Sequence, residues 1–197
     1  RILIDGQDVR DVSLHSLRGS VGGVQQDSFV FTASVDSNIA YGNPWSDEAG
    51  VIQAGRDAQL HDFISELPDN YQTLVGERGV SLSGGQRQRV SIARGNLVNA
   101  PICILDDATA AIDADTERRI HDAVIARHDN RTNIVISHRL VSVMHADEIL
   151  FLEEGKIVER GTHEHLLDLG GRYAELHSLQ MGAARSVEPT LVQVSSG

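Results

Sequence analysis

Apolar residues fall mostly at helical spacing through the middle of the first hundred positions, then come as two unbroken runs separated by one amphipathic stretch. The runs are "ICILD" (102–106), ending in acid, and "NIVISH" (133–138), ending in histidine. Between them "DTERRIHDAVIARH" predicts a helix with Ile120, Val124 and Ile125 inward. Strand, helix, strand without polar alternation predicts a parallel sheet covered on both faces. Upstream, "RILIDGQDV" alternates around an Asp-Gly turn signal and predicts a hairpin. "SVGGVQQ" predicts a short strand ending at Gln25 and Gln26. From about Ser34 to Leu97 the pattern is helical: "SDEAGVIQAGRDAQLHDFISEL" opens on Ser46 as N-cap, and Val90, Ala93 and Leu97 form an inward stripe with arginines opposite. "EILFLEEGKIVERG" predicts a second hairpin, "GGRYAELHSLQ" a short terminal helix, and "ARSVEPTLVQVSSG" a loose tail.

Three predicted strands therefore end in polar groups: Gln26, Asp106 with Asp107, and His138. In open α/β sheets that carboxyl edge is where ligands bind. A second feature is "SLSGGQRQR" (81–89), in which Gly84 and Gly85 follow a serine directly ahead of a helix. Backbone N–H groups at a helix N-terminus suit an anion, most naturally a phosphate. Each residue also has a plainer reading when taken alone. Ser83 and Gln86 fit an S-x-x-Q capping box, which needs no ligand. Asp106 fits a strand-end acid paired with an arginine, His138 a structural or solvated side chain, and Gln26 by itself says almost nothing. The other eight of the nine histidines, His163 and His165 among them, read as surface residues rather than metal ligands.

Composition narrows the classes. The 197 residues suffice for one core with a subdomain. A net charge of −11 argues against a nucleic-acid partner, which calls for a basic face. It leaves ATP open, since a few N–H groups and a metal ion suffice. The single cysteine, Cys103, lies in an apolar run and reads as a small core residue, not a disulfide or zinc ligand. No run approaches the ~18–20 apolar residues of a membrane span. The chain opens in mid-strand style on "RILIDG" without an initiator methionine, and the expectation is a piece of a longer polypeptide.

Taken together and in order, "VQQD … VGERGVSLSGGQRQRVSIARG … ICILDDATAAID … VISHRL … GKIVERGTHEHLL" closely resembles the ATP-binding cassette of an ABC transporter of the exporter type, over Arg1 to about Gln180. The resemblance implies an α/β fold: a P-loop NTPase-like parallel sheet with an inserted helical subdomain, the N-terminal strands and P-loop missing. It implies a partial ATP-binding core with the Q-loop over 1–33 and a helical subdomain with the signature motif over 34–98. The rest of the core, with Walker B, D-loop and switch histidine, would occupy 99–180, and a flexible tail 181–197. Gln26 matches the Q-loop glutamine that meets the metal and the attacking water, and Leu82 to Gln86 match the signature. Asp106 matches the Walker B acid that acts on Mg²⁺, Asp113 the D-loop acid, and His138 the switch histidine that senses the γ-phosphate. Glu77, in "TLVGERG", matches an exporter loop that touches the transmembrane domain. ATP and Mg²⁺ are the implied ligands.

In the family two cassettes pair head to tail, and the signature of one closes over ATP held by the P-loop of the other. The resemblance thus implies that Ser83, Gly84, Gly85 and Gln86 meet a partner's nucleotide, with a transmembrane domain fused upstream and a place at the cytoplasmic face of the membrane. Two departures stand out. The P-loop pattern G-x-x-x-x-G-K-[ST] does not occur, the single lysine being Lys156 in "EEGKIVE", so the chain alone is expected to bind ATP poorly and to be inactive. The residue after the Walker B acid, usually the glutamate that activates water, is Asp107, and the D-loop reads "AAID" instead of serine-alanine-leucine-aspartate. Two readings follow: a transport ATPase that drives export, or a degenerate, mainly regulatory module of a heterodimeric exporter. A soluble ABC protein of DNA repair or translation is disfavoured by the acidic charge and by "GERG" and "ISHRL". The transported substrate is chosen by membrane helices and is not legible here.

Overall fold

The computed structural model describes residues 1–126 and 131–185, and the chain divides into two compact units, Arg1–His138 and a second beginning at Arg139. In the first unit, Asp5 and Gly6 take φ values of 48° and 80°, as a two-residue hairpin turn requires. They join β1 (Leu3–Ile4) to β2 (Gln7–Asp8) in antiparallel register. α1 (Leu14–Ser20), capped by Ser13, leads directly into β3 (Val21–Val24). β4 (Ala33–Ser34) precedes α2 (Val35–Ala40), α3 (Glu48–Asp57) and α4 (His61–Ser65), and pairs antiparallel with β5 (Leu74–Val75). Then follow α5 (Gly84–Val98), β6 (Ile102–Asp106), α6 (Ala114–Ala126) and β7 (Thr132–Ile136).

The helical stretch from Ser46 is two helices. α3 starts one residue later than expected, because Asp47 is the N-cap: its Oδ1 accepts from the Gly50 amide at 2.9 Å. It ends in a Schellman-type turn, with Gln59 left-handed (φ 54°), the Gln59 amide on the Arg56 carbonyl and the Leu60 amide on the Gly55 carbonyl. That turn directs Leu60 into the core, where it is buried.

β3, β6 and β7 form a parallel sheet in that order. Among the described residues β7 has β6 as its sheet neighbour, and its burial alternates, with Ile134 and Ile136 at 46 % and 50 % exposure. Val24 and Cys103 are buried, and burial in this setting pushes the Cys103 thiol up, against the opposing charge of Arg131. One apolar core gathers Val24, Ile39, Val51, Ile64, Val90, Ala93, Ile120 and Val124. The Ile125 side chain lies outside the described residues.

Not all the arginines of α5 form a solvent face. Arg89 is half-buried and donates to the Gln59 carbonyl. Arg94 lies over the Phe31 and Tyr41 rings, 5.4 and 5.7 Å from their centroids, and donates to the carbonyls of Asn38 (2.8 Å) and Phe29 (3.2 Å). Asn38 itself is fully buried. Its Oδ1 accepts from the Phe31 amide at 2.8 Å, and its Nδ2 donates to the Phe31 and Ser34 carbonyls at 3.0 Å each.

In the second unit, β8 (Ile149–Glu153) and β9 (Lys156–Gly161) make the expected hairpin, turning through Glu154 and Gly155 at positive φ, with an irregularity between Phe151 and Leu152. α7 (His163–Leu169) and α8 (Arg172–Arg185) follow. Leu140, Ile149, Leu166 and Tyr173 form its core. His163 is not simply a surface residue: it is half-buried, with Nδ1 2.7 Å from the hydroxyl of the buried Tyr173, whereas His165 is exposed. α8 continues past Gln180 to Arg185, and residues 186–197 lie outside the described residues.

Replacing Asn38 with alanine removes the acceptor of the Phe31 amide and one donor each from the Phe31 and Ser34 carbonyls, the former keeping the Ala33 amide. Unsatisfied groups of this kind cost about 1–3 kcal/mol each when relaxation is incomplete. Asn38→Ala is expected to lower stability by about 3 kcal/mol in urea denaturation; a loss under about 1 kcal/mol would mean that the 29–34 segment is held by other contacts.

Candidate functional site

The parallel register sets the site. Val24 pairs with Leu105, and Asp106 with Ile136. Gln26, Asp106 and Asp107, and His138 therefore emerge at one level along the carboxyl edge of the sheet. Gln26 and Asp106 are exposed, and the His138 side chain is 95 % accessible.

Asp107 is different. It is buried, left-handed (φ 42°), and donates its amide to the Ile136 carbonyl at 2.8 Å. Aspartate tolerates this conformation better than most residues. The turn folds its carboxylate onto the end of β7. Oδ1 accepts from the His138 amide at 3.3 Å, and Oδ2 lies 3.5 Å from His138 Nε2. Both carboxylate oxygens thus face the same histidine.

At the start of α5 the capping box is fully formed. Ser83 Oγ accepts from the Gln86 amide at 3.2 Å, and Gln86 Oε1 accepts from the Ser83 amide at 2.8 Å. The amides of Gly84 and Gly85 occupy the first two helical positions, where the positive end of a helix faces an anion. Gly85 also answers a steric demand, since a Cβ there would stand 2.8 Å from the Ala111 carbonyl oxygen. One turn on, Gln88 is buried and its Oε1 accepts from the Ala111 amide at 2.7 Å.

The segment after β6 is tied down at both ends. Thr109 Oγ1 donates to buried Glu117 at 2.7 Å. Asp113 caps α6 by accepting from the Thr116 amide at 2.9 Å. The Thr116 amide, with its hydroxyl second, holds the Asp113 carboxyl below its ordinary value.

Glu77 is exposed and lines a groove of about 300 Å³ together with Ser28, Phe29, Leu82 and Arg87. The groove joins the segment behind Gln26 to the first residue of the signature stretch. Among the described residues no helix is long and apolar enough to cross a membrane. No group of three or more His, Cys, Asp or Glu side chains among them forms a metal site of its own. Asp106 and Gln26 nonetheless suit Mg²⁺: both offer hard oxygen donors at one exposed edge, and that ion completes its shell with waters and phosphates.

Sequence reasoning passed over Gln88, Glu117, Asn38 and Arg94. Gln88 left a usable signal. It sits at helical spacing with buried Ile92 and Gly95, so a polar side chain had to find a partner inside.

Comparison with known proteins bears on the family and the fold. The ABC transporter family profile matches residues 1–110. YknU of Bacillus subtilis, described as an ABC transporter ATP-binding protein, is 49 % identical over 91 % of this chain and 31 % of its own length. The ATP-dependent lipid A-core flippase of Syntrophus aciditrophicus is 50 % identical over 91 % of this chain and 30 % of its own. A solved ATP-bound bacterial exporter of the Atm1 family superposes with a TM-score of 0.83 at 43 % identity, covering 96 % of this chain and 32 % of that one. The chain thus spans about a third of the length of the relatives it matches. With a parallel sheet, an intervening helical segment and a fold that resembles an exporter's nucleotide-binding domain, the chain belongs to the ABC transporter family.

Proposed function

We propose that this segment is part of the ATP-binding and hydrolysing domain of an exporter, working on nucleotide from two sides. The observation that carries the reading is the shared level of Gln26, Asp106, Asp107 and His138 along one sheet edge, set by the register of three parallel strands. On that edge Gln26 and Asp106 hold Mg²⁺, and His138 meets the γ-phosphate. Bound Mg²⁺ neutralises charge that develops on the phosphates. The amides of Gly84 and Gly85, with the Ser83–Gln86 turn, address the nucleotide of a second cassette. Because the chain has no G-x-x-x-x-G-K-[ST], the grip on the β- and γ-phosphates belongs to residues outside this sequence. The partners are a second cassette and a fused transmembrane domain at the cytoplasmic face of the membrane. Glu77 lines an exposed groove, and this supports a coupling role in which a segment of that transmembrane domain docks there.

A specific observation favours slow hydrolysis at this site. The water-activating position is Asp107, one methylene shorter than glutamate, and both its oxygens face His138 rather than extending beyond it. A displacement of about 1 Å of a reacting group can cost on the order of 100-fold in rate. The domain is then the regulatory half of an asymmetric exporter, while its signature supports hydrolysis in the opposite site.

In the full-length transporter, Asp107→Glu is expected to accelerate ATP turnover by about ten- to a hundredfold. An unchanged rate would mean that aspartate already serves, and the slow-site reading would fall. The D-loop acid gives a second test, readable in this chain. Because its folded-state pKa is lowered, the Asp113 cap contributes fully above the ordinary value of 3.8 and is lost as pH falls through the lower folded-state value. Carbon-13 titration of the Asp113 carboxyl should give a midpoint below 3.8, moving upward in Thr116→Val. A wild-type midpoint at or above 3.8 would contradict the cap.

A further inference from the structure

We infer that Gln88 is the positioning residue that locks the D-loop to the signature helix, so that the signature glycines and Asp113 keep a fixed register. What the two loops do rests on the cassette reading above; the lock itself rests on geometry.

Three residues of α5 lie against one residue of the loop, Ala111. Gln88 takes the Ala111 amide at 2.7 Å, a bond spanning 23 positions. Gly85 brings bare backbone against the Ala111 carbonyl oxygen, 2.8 Å from where its Cβ would be, while Gly84 only passes the Ala111 methyl group, which a Cβ there would meet at an ordinary contact distance of 3.7 Å. Positions 84, 85 and 88 lie on one face of a helix. The side chain of Gln88 is 6 % exposed, so its amide oxygen needs a donor, and Ala111 supplies it. The backbone bonds inside 107–112 are local ones, Ala110 to Asp107 and Ile112 to Thr109. They curl the loop. Gln88 supplies a bond from the loop to α5, on the same helix whose N-terminus carries the capping box.

The chemistry demanded of position 88 is an acceptor at the end of a three-bond arm. Methionine keeps the length and apolar volume but removes the acceptor; glutamate keeps both length and acceptor. The test is hydrogen exchange of the Ala111 amide, read from overlapping peptides across 107–113 in the full-length transporter, together with its steady-state ATP kinetics. Gln88→Met is expected to speed Ala111 exchange about five- to tenfold, as for the loss of one net hydrogen bond. It should lower kcat about tenfold while KM for ATP stays put, and Gln88→Glu should restore both readouts. Gly85→Ala, which pushes on the carbonyl of the same residue, should also speed Ala111 exchange, and it serves as the probe if Gln88→Met does not fold. Unchanged Ala111 exchange in these variants would overturn the lock. Altered exchange with unchanged kcat, or with kcat and KM moving together, would overturn its positioning role. A wild-type transporter without ATP turnover would strike the cassette reading instead, and exchange would still decide the lock.

Discussion

The parallel pairing of β6 on both sides is the constraint from which the site follows. A strand hydrogen-bonded to β3 and to β7 in one register fixes three chain exits at a single height. Slip any of them by one residue and its side chains exchange faces. The pairing is held by apolar burial of Val24 and Cys103 and by the helices packed in the same core. The polar ends then come to one level, where Asp107 and His138 contact each other. Gln26 and Asp106 stay exposed, where a ligand can reach them, because the ladder positions them and no side-chain network must.

The helical segment solves a different problem. Its helices share a core with β3 and α6, yet several polar residues of α5 also reach outward to named backbone groups. Arg94 holds carbonyls behind the Gln26 segment, Arg89 holds the carbonyl that closes α3, and Gln88 holds the Ala111 amide. Apolar packing is tolerant of small shifts, whereas a buried hydrogen bond to a backbone group is specific in both distance and direction. A single helix so tied carries displacement from one loop to another with little loss. That property suits a domain proposed to pass the state of a nucleotide to a membrane partner.

The sequence was most legible where period and composition agreed. The run 102–106 is β6 to the residue, and the Asp5–Gly6 and Glu154–Gly155 turns occur where alternating runs meet a glycine. Legibility failed where a side chain's partner is distant in sequence. Nothing local marks Gln59 as left-handed, because the turn is imposed by burying Leu60. The arginines of α5 have the same pattern as a solvated face, and only the aromatic pair Phe31 and Tyr41 shows otherwise for Arg94. The unbroken run in β7 predicted burial on both faces, and among the described residues Ile134 and Ile136 are half exposed where no strand lies beside β7 on that side. The proposed site residues were picked out by their order along the chain; Gln88 and Arg94 were not, since their partners are set by three-dimensional contact.

Asp107 brings these threads together. Its backbone is left-handed so that its amide can close on Ile136, and this same bend swings its side chain over the end of β7. An aspartate in that pose can reach the His138 amide; a glutamate carries its carboxylate one bond further. The substitution therefore changes what the carboxylate touches as well as how far it extends. Bonded to His138, the shorter acid stabilises the position of the histidine, while the added methylene would release that contact to gain reach. On the reading proposed above, slow chemistry and a histidine contacted by Asp107 are two consequences of one geometric choice, and a site built this way would suit sensing bound nucleotide more than consuming it.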